Sequence, residues 1–131
     1  MVAERRPVLL VVDDEPQMCR LLERFGAKLG YRVVSCNGGR EAIQSLATTR
    51  ADAALIDLQM PEIGGLDVLR AVRETYADCQ VILMTAHVTI ETARDAAKLG
   101  ARDCVSKPLP FDRLGELLGG LRQPWGLGPG A

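Results

Sequence analysis

Val8-Leu9-Leu10-Val11-Val12-Asp13-Asp14 is a run of five apolar residues closed by two carboxylates, and Ala53-Ala54-Leu55-Ile56-Asp57 repeats the pattern with one. Such runs have the length of a strand, and their unbroken apolar character is what burial on both faces requires. Further on, residues 81–84 are closed by Thr85, and Cys104-Val105-Ser106 by Lys107-Pro108. In an open parallel α/β sheet, ligands bind outside the carboxyl ends of the strands. Asp13, Asp14, Asp57, Thr85 and Lys107 therefore crowd one rim. Any one of them would serve equally as the solvated start of a loop. The five together point to a site, and the three carboxylates mark it as one for a cation.

The chain has 131 residues, enough for one domain with a single good core. Hydrophobic residues make up 47% and charged residues 25%, a balance that fits a globular rather than a disordered chain. A net charge of -1 and the lack of a basic patch argue against a nucleic-acid surface. Cys19, Cys36, Cys79 and Cys104 stand singly among apolar neighbours, without a Cys-x-x-Cys pair, and read as reduced core residues. The first residues lack the apolar stretch of a secretion signal, and no apolar run reaches the roughly 18 residues of a membrane span. A cytoplasmic location is expected.

Five short apolar runs, at 8–12, 32–35, 53–56, 81–84 and 103–105, alternate with segments of helical period, the pattern of repeated βα units. The first helix starts at Pro16, sets Met18, Leu21, Leu22, Phe25 and Leu29 inward, and stops at Gly30. A second is expected over 40–48 with Ala42, Ile43 and Leu46 inward, and a third over 66–75 with Leu66, Leu69 and Val72 inward. The fourth, over 89–99, offers only Ile90, Ala93 and Ala97 as a core stripe and should be held loosely. The fifth, over 110–121, turns Leu114, Leu117, Leu118 and Leu121 inward but carries Gly115, Gly119 and Gly120, each costing roughly 1 kcal/mol against Ala. Pro and Gly then break both helix and strand, so the domain is expected to span residues 1–122, with 123–131 as a tail or linker. Right-handed crossovers place helices on both faces. The expected fold is α/β, a five-stranded parallel, doubly wound sheet with five helices.

The ordered set Asp13-Asp14, Asp57, Met60-Pro61 with Gly64-Gly65, Thr85-Ala86 and Lys107-Pro108 resembles the receiver domains of two-component response regulators, over about residues 8 to 121. The stretch from Met84 to Ala93, followed by Lys98-Leu99-Gly100-Ala101, looks most like receivers of the nitrogen-regulatory class. The resemblance implies a flavodoxin-like strand order of 2-1-3-4-5, and that Asp57 is the phosphoacceptor, taking a phosphoryl group from a phosphohistidine on a sensor kinase or phosphotransfer protein. It implies a Mg²⁺ ion held by Asp14, Asp57 and the backbone carbonyl of Gln59, with Asp13 reaching it through water. Lys107 would pair with a phosphoryl oxygen, and the Thr85 hydroxyl and Ala86 amide would bond the others. A domain of this kind assists its own phosphorylation without being a turnover enzyme. It controls an effector protein or fused output domain, binds neither nucleic acid nor membrane itself, and is a monomer or weak dimer. The Lys107-Pro108 bond is commonly cis in such domains.

These residue types suit that chemistry. A carboxylate and a phosphoryl group repel until a dication takes up the developing charge, and crowding of the three acids should raise the proton affinity of at least one. Gly64 and Gly65 would allow positive φ after Asp57, or simply start the third helix. Gln59 and His87 occupy positions that set phosphoryl lifetime in the family, although His87 reads equally as a solvated loop residue.

The chain departs from the family at Cys104, where an aromatic usually stands, and at Leu109, where another usually follows Lys-Pro. Two readings of Cys104 are open, a small core residue leaving a pocket beside Thr85, or a redox-sensitive reporter. A haloacid-dehalogenase-type phosphatase would need a second carboxylate at position 59, where Gln stands. A nucleotide or flavin site would need glycines where the chain has Asp-Asp-Glu-Pro. The remaining rival is a receiver-like interaction module that signals without phosphorylation.

Overall fold

A computed structural model describes residues 6–121, with side chains to residue 119. Five strands, β1 (Val8–Val12), β2 (Arg32–Cys36), β3 (Ala53–Asp57), β4 (Gln80–Thr85) and β5 (Asp103–Ser106), form one sheet. They alternate with α1 (Pro16–Lys28), α2 (Gly39–Ser45), α3 (Gly65–Thr75), α4 (Ile90–Lys98) and α5 (Phe111–Leu121). The strands lie in the order β2-β1-β3-β4-β5 and every pairing is parallel, so the expected architecture is the one observed. The domain boundary expected at residue 122 and the tail 123–131 lie outside the described residues, as does the inward placement of Leu121. Among the described residues no helix is long and apolar enough to cross a membrane.

The two halves of the core follow from the alternation of side chains along each strand. Leu10, Val12, Ala54, Ile56, Val81 and Leu83 point to the face covered by α2, α3 and α4. Leu9, Val11, Ala53, Leu55, Ile82 and Met84 point to the face covered by α1 and α5. Because β1, β3 and β4 are covered on both sides, their sequences read as continuous apolar runs, and each fully buried Leu, Ile or Val contributes roughly 1.5–3 kcal/mol.

α1 ends as expected, with Gly30 at φ 97 supplying the left-handed residue past its C-terminus. Met18, Leu22, Phe25 and Leu29 pack inward as expected, and Leu21 alone departs. Leu21 is 46% exposed, while Cys19, Leu22 and Gly26 are buried. A Cβ at Gly26 would stand 2.8 Å from Leu9 Cδ2 and from Val33 Cγ2, so the helix approaches the sheet at a residue without a side chain. That close contact turns the helix and carries Leu21 to solvent.

α2 is shorter than expected. After Ser45 the amides of Leu46, Ala47 and Thr48 bond the carbonyls three residues back, which tightens the chain into turns. α3 begins at Gly65 and buries Val68, Leu69 and Val72.

α4 is well terminated and poorly anchored. Thr89 and Thr92 cap each other reciprocally, each accepting from the other's backbone amide, and Gly100 closes the far end at φ 91. Only Ala96 is buried along it, with Thr92 and Leu99 half-buried. The expected stripe of Ile90, Ala93 and Ala97 is instead exposed. Leu99 and Ala101, packed against the core, fix the face that turns inward, and that face is rotated from the apolar one. Where α3 buries three branched side chains, α4 buries one methyl.

Candidate functional site

The carboxyl ends of β1, β3, β4 and β5 bring the five expected residues to one rim. Asp13 follows the last residue of β1 and is fully buried; Asp14, next along, is exposed; Asp57 ends β3 and is 5% exposed. One carboxylate oxygen from each of the three lies within 4.8 Å of the others. Lys107, just after β5, extends its ammonium among them, with Nζ 2.8 Å from Asp13 Oδ2 and 3.4 Å from Asp57 Oδ2.

The backbone holds these groups in place. The Glu15 amide donates to Asp13 Oδ1 at 2.9 Å, and the Gln59 amide donates to Asp57 Oδ1 at 3.1 Å. Gln59 is itself exposed in the loop after β3. The Lys107 amide donates to the Thr85 carbonyl at 2.7 Å, which ties the ends of β4 and β5 together. The Lys107-Pro108 bond is cis, as expected. Thr85 is buried, and its hydroxyl lies 3.4 Å from both the amide and the carbonyl of His87, a loose engagement with its own loop. Ala86 and His87 follow at an exposed bend.

Electrostatics at the rim are unequal. Burial pushes the Asp57 carboxyl above its ordinary range; the Gln59 amide opposes that shift, the Asp13 charge adds to it and Lys107 reduces it. Crowding by Asp13 raises the proton affinity of Asp57 as expected, and desolvation contributes more. Burial works against the Lys107 charge, but the hydrogen bond and charge of Asp13, followed by Asp57, outweigh it and push the ammonium's pKa up.

The donor set fits a small divalent cation. Ligand oxygens about 2.0–2.1 Å from an octahedral Mg²⁺ stand roughly 2.9–4.2 Å apart, so carboxylates within 4.8 Å need only a small closing movement. Asp13, with both oxygens already bonded, is less available than Asp14, whose exposed carboxylate faces solvent at the rim.

Two further residues belong to this arrangement. Glu15 Oε1 lies 3.6 Å from Lys107 Nζ, a third acid around the ammonium that the Asp-Asp-Glu order could have suggested. Gly65 packs so tightly that a Cβ would fall 2.4 Å from the Asp57 carbonyl oxygen and 2.6 Å from Leu58 Cα. Close approach, and not positive φ, is why glycine stands there. The positive φ of this loop is at Glu62 instead, at 65°.

Cys104 is half-buried with a free thiol, and burial, then the Asp103 charge, raise its pKa. A thiol so held carries little thiolate, which favours the small-residue reading over a redox reporter. The recesses that Cys104 lines lie against α4 and against the start of α5, and Thr85 lines neither.

Comparison with known proteins gives a consistent result. The family model described as response regulator receiver domain matches residues 9–118. Regulatory protein AtoC of Escherichia coli strain K12 is 39% identical over 106 residues, which cover 81% of this chain and 23% of that protein. The chain spans about a quarter of the length of the curated relatives it matches. Among solved structures, the signal receiver domain of a putative Luxo repressor protein from Vibrio parahaemolyticus is 28% identical with a TM-score of 0.84, covering 94% of this chain and 95% of that one. Response regulator protein TrrA from Thermotoga maritima, in complex with Mg(2+)-BeF, is 31% identical with a TM-score of 0.77, covering 88% of this chain and 98% of that one.

Proposed function

From the premise that the chain belongs to the response regulator receiver domain family, a family of signalling modules, we propose that it accepts a phosphoryl group on Asp57. The observation that carries this reading is the Asp57 carboxylate at the end of β3, nearly buried, with an ammonium 3.4 Å from one oxygen and two further carboxylates beside it. An Asp57 oxygen attacks phosphorus in line, and the phosphorus–nitrogen bond of a phosphohistidine donor breaks. Its electron pair goes to the imidazole nitrogen, and the product is an acyl phosphate.

The site residues divide the work. Mg²⁺, held by Asp14, Asp57 and the Gln59 carbonyl with Asp13 through water, would neutralise the charge shared by carboxylate and phosphoryl group when bound. Lys107 supplies a fixed positive charge to a phosphoryl oxygen, and the Thr85 hydroxyl and Ala86 amide bond the others. The weak hold of His87 on the Thr85 hydroxyl leaves that hydroxyl free to re-aim at low cost. Through Thr85 the phosphoryl group biases α4, whose anchoring is the slightest of the helices on its face, and so reports to an effector or a fused output domain. We infer that this exchange is cytoplasmic, a reading that four cysteines without disulfides support, and that the domain is a monomer or weak dimer.

Incubation with Mg²⁺ and acetyl phosphate tests the reading. Intact mass should show one phosphoryl adduct on the native chain and none on Asp57→Asn. No adduct, with Mg²⁺ binding still measurable, would overturn it in favour of an interaction module that signals without phosphorylation.

A further inference from the structure

One arginine serves the amino end of every strand. Arg6 lies two residues before β1, Arg32 opens β2, Arg50 lies three residues before β3, and Arg102 directly precedes β5. The turn before β4 is reached from α3, whose Arg73 donates from Nη1 to the carbonyls of Ala77 and Cys79 at 2.6 and 3.1 Å. The register sets these starts side by side: the Arg32 amide bonds the Pro7 carbonyl, the Gln80 amide that of Asp52, and the Arg102 amide that of Val81. Neighbouring strands lie about 4.8 Å apart, so the arginines form a row roughly 19 Å long from β2 to β5. At least 18 residues separate its members along the chain, which is why the sequence shows no basic patch.

Lys28 and Lys98, each in the last turn of its helix, reach the same rim from the two faces of the sheet. Helix C-termini attract cations, which accounts for Lys28, Arg73 and Lys98. Arg6, Arg32, Arg50 and Arg102 lie beyond those last turns, and all four are exposed. The acids nearby are fewer. Asp52 is half-buried, accepts from the Val8 amide at 2.8 Å and lies 4.0 Å from Arg50 Nε; Glu74 and Asp78 are exposed; Asp103 is held by Arg113. Among the described residues no ion pair occupies Arg6, Arg32 or Arg102. The opposite rim carries Asp13, Asp14, Glu15 and Asp57, so the net charge of -1 conceals two ends of opposite sign, about 16 Å of strand apart.

We propose that the arginine row binds the phosphodiester backbone of duplex nucleic acid without regard to sequence. Each guanidinium presents paired donors that match phosphate oxygens. Phosphates of one strand advance about 3.4 Å along a duplex, so a row of roughly 19 Å runs beside about five of them. Unpaired bases would find nothing to stack on, since Tyr31 is buried and Tyr76 lies under Arg50 with its hydroxyl on the Leu46 carbonyl. A lipid surface would find no large apolar side chain, because Leu21, Val88 and Ile90, the exposed ones, lie away from this rim. The backbone repels the acidic rim, which turns Asp57 outward and leaves it open.

Anisotropy of a labelled duplex of about 20 base pairs, titrated with the full chain at about 50 mM salt and without a phosphoryl donor, tests the proposal. Two unrelated sequences should bind alike, and the logarithm of the affinity should fall against that of salt with a slope of about -3 to -5. Affinity should drop roughly tenfold or more in the double variant Arg32→Glu with Arg102→Glu, while labelling of Asp57 by acetyl phosphate is unchanged. Arg40→Glu, the same change of charge beyond the carboxyl end of β2, should leave binding intact. The proposal is overturned if no duplex binds, if the double variant binds as tightly as the native chain, or if Arg40→Glu loses as much. Tighter binding of anionic phospholipid vesicles, of polyphosphate or of polyglutamate than of duplex would also overturn it, by assigning the row to another partner.

Discussion

Lys107 is bound more closely to Asp13 than to Asp57: its ammonium lies 2.8 Å from Asp13 Oδ2 and 3.4 Å from Asp57 Oδ2. Asp13 is thereby compensated on both oxygens, by Lys107 and the Glu15 amide, and Asp57 is left under-compensated in a buried place. Asp57→Asn should therefore stabilise the fold, by on the order of 1 kcal/mol, because it removes a poorly solvated charge. Lys107→Met should destabilise it by roughly 1–3 kcal/mol through loss of a charged hydrogen bond to a buried acid. Urea unfolding at neutral pH checks both signs.

The pH dependence follows from the same contacts. Asp57 has a raised pKa in the folded chain, so the native state binds more protons than the unfolded one from about its ordinary value of 3.8 upward to the folded value. Stability therefore falls as pH rises through that window. Lys107 has a folded pKa raised above 10.5, so its contribution is full below 10.5 and is lost as pH climbs through the folded value. Unfolding free energies measured across pH should show both slopes, with the acidic one reduced in Asp57→Asn and the alkaline one in Lys107→Met.

Mg²⁺ should stabilise the native chain by about 2.7 kcal/mol at a concentration one hundred times its dissociation constant, and chelation should reverse the effect. Both Asp14→Asn and Asp57→Asn should diminish it. The affinity should also fall as pH drops through the raised pKa of Asp57, since a protonated carboxyl is a poor ligand. Thermal shift against Mg²⁺ concentration, repeated at several pH values, measures all three effects.

Gly65→Ala should cost roughly 1–3 kcal/mol, because its Cβ meets the Asp57 carbonyl oxygen at 2.4 Å and backbone cannot yield as a side chain can. Gly64→Ala, with only the Leu58 carbonyl at 3.6 Å, should be close to neutral. A large loss at Gly64 and none at Gly65 would contradict the packing assigned to this loop.

On α1, Leu22→Ala should cost about 2–5 kcal/mol and Leu21→Ala no more than about 0.5 kcal/mol. Sequence periodicity treats the two leucines alike, and equal losses on denaturation would restore that view.

The strands were legible because β1, β3 and β4 are buried on both faces, which leaves an unbroken apolar run for each, whereas their order came with the family resemblance. The rim was legible because Asp13, Asp57, Thr85 and Lys107 each end or follow such a run. What misled was the choice of helix face. On α1 the closest approach to the sheet is made at Gly26, and on α4 the buried line passes through Thr92 and Ala96. Glycine and threonine carry almost no signal in an apolar periodicity, and the alanines of α4 lie on both the buried and the exposed side, so Leu21 on α1 and Ile90 on α4 decided the assignment. Glu15 and Gly65 escaped for a related reason: their parts depend on a distance across the fold, to Lys107 and to the Asp57 carbonyl.

Borohydride reduction after incubation with Mg²⁺ and acetyl phosphate, followed by peptide mass mapping, tests the central claim most directly. An acyl phosphate at Asp57 is reduced to homoserine, so the account predicts conversion at position 57 alone, dependent on Mg²⁺ and much weaker in Lys107→Met. Conversion at another carboxylate, or an unconverted Asp57 in a chain that binds Mg²⁺, would contradict it.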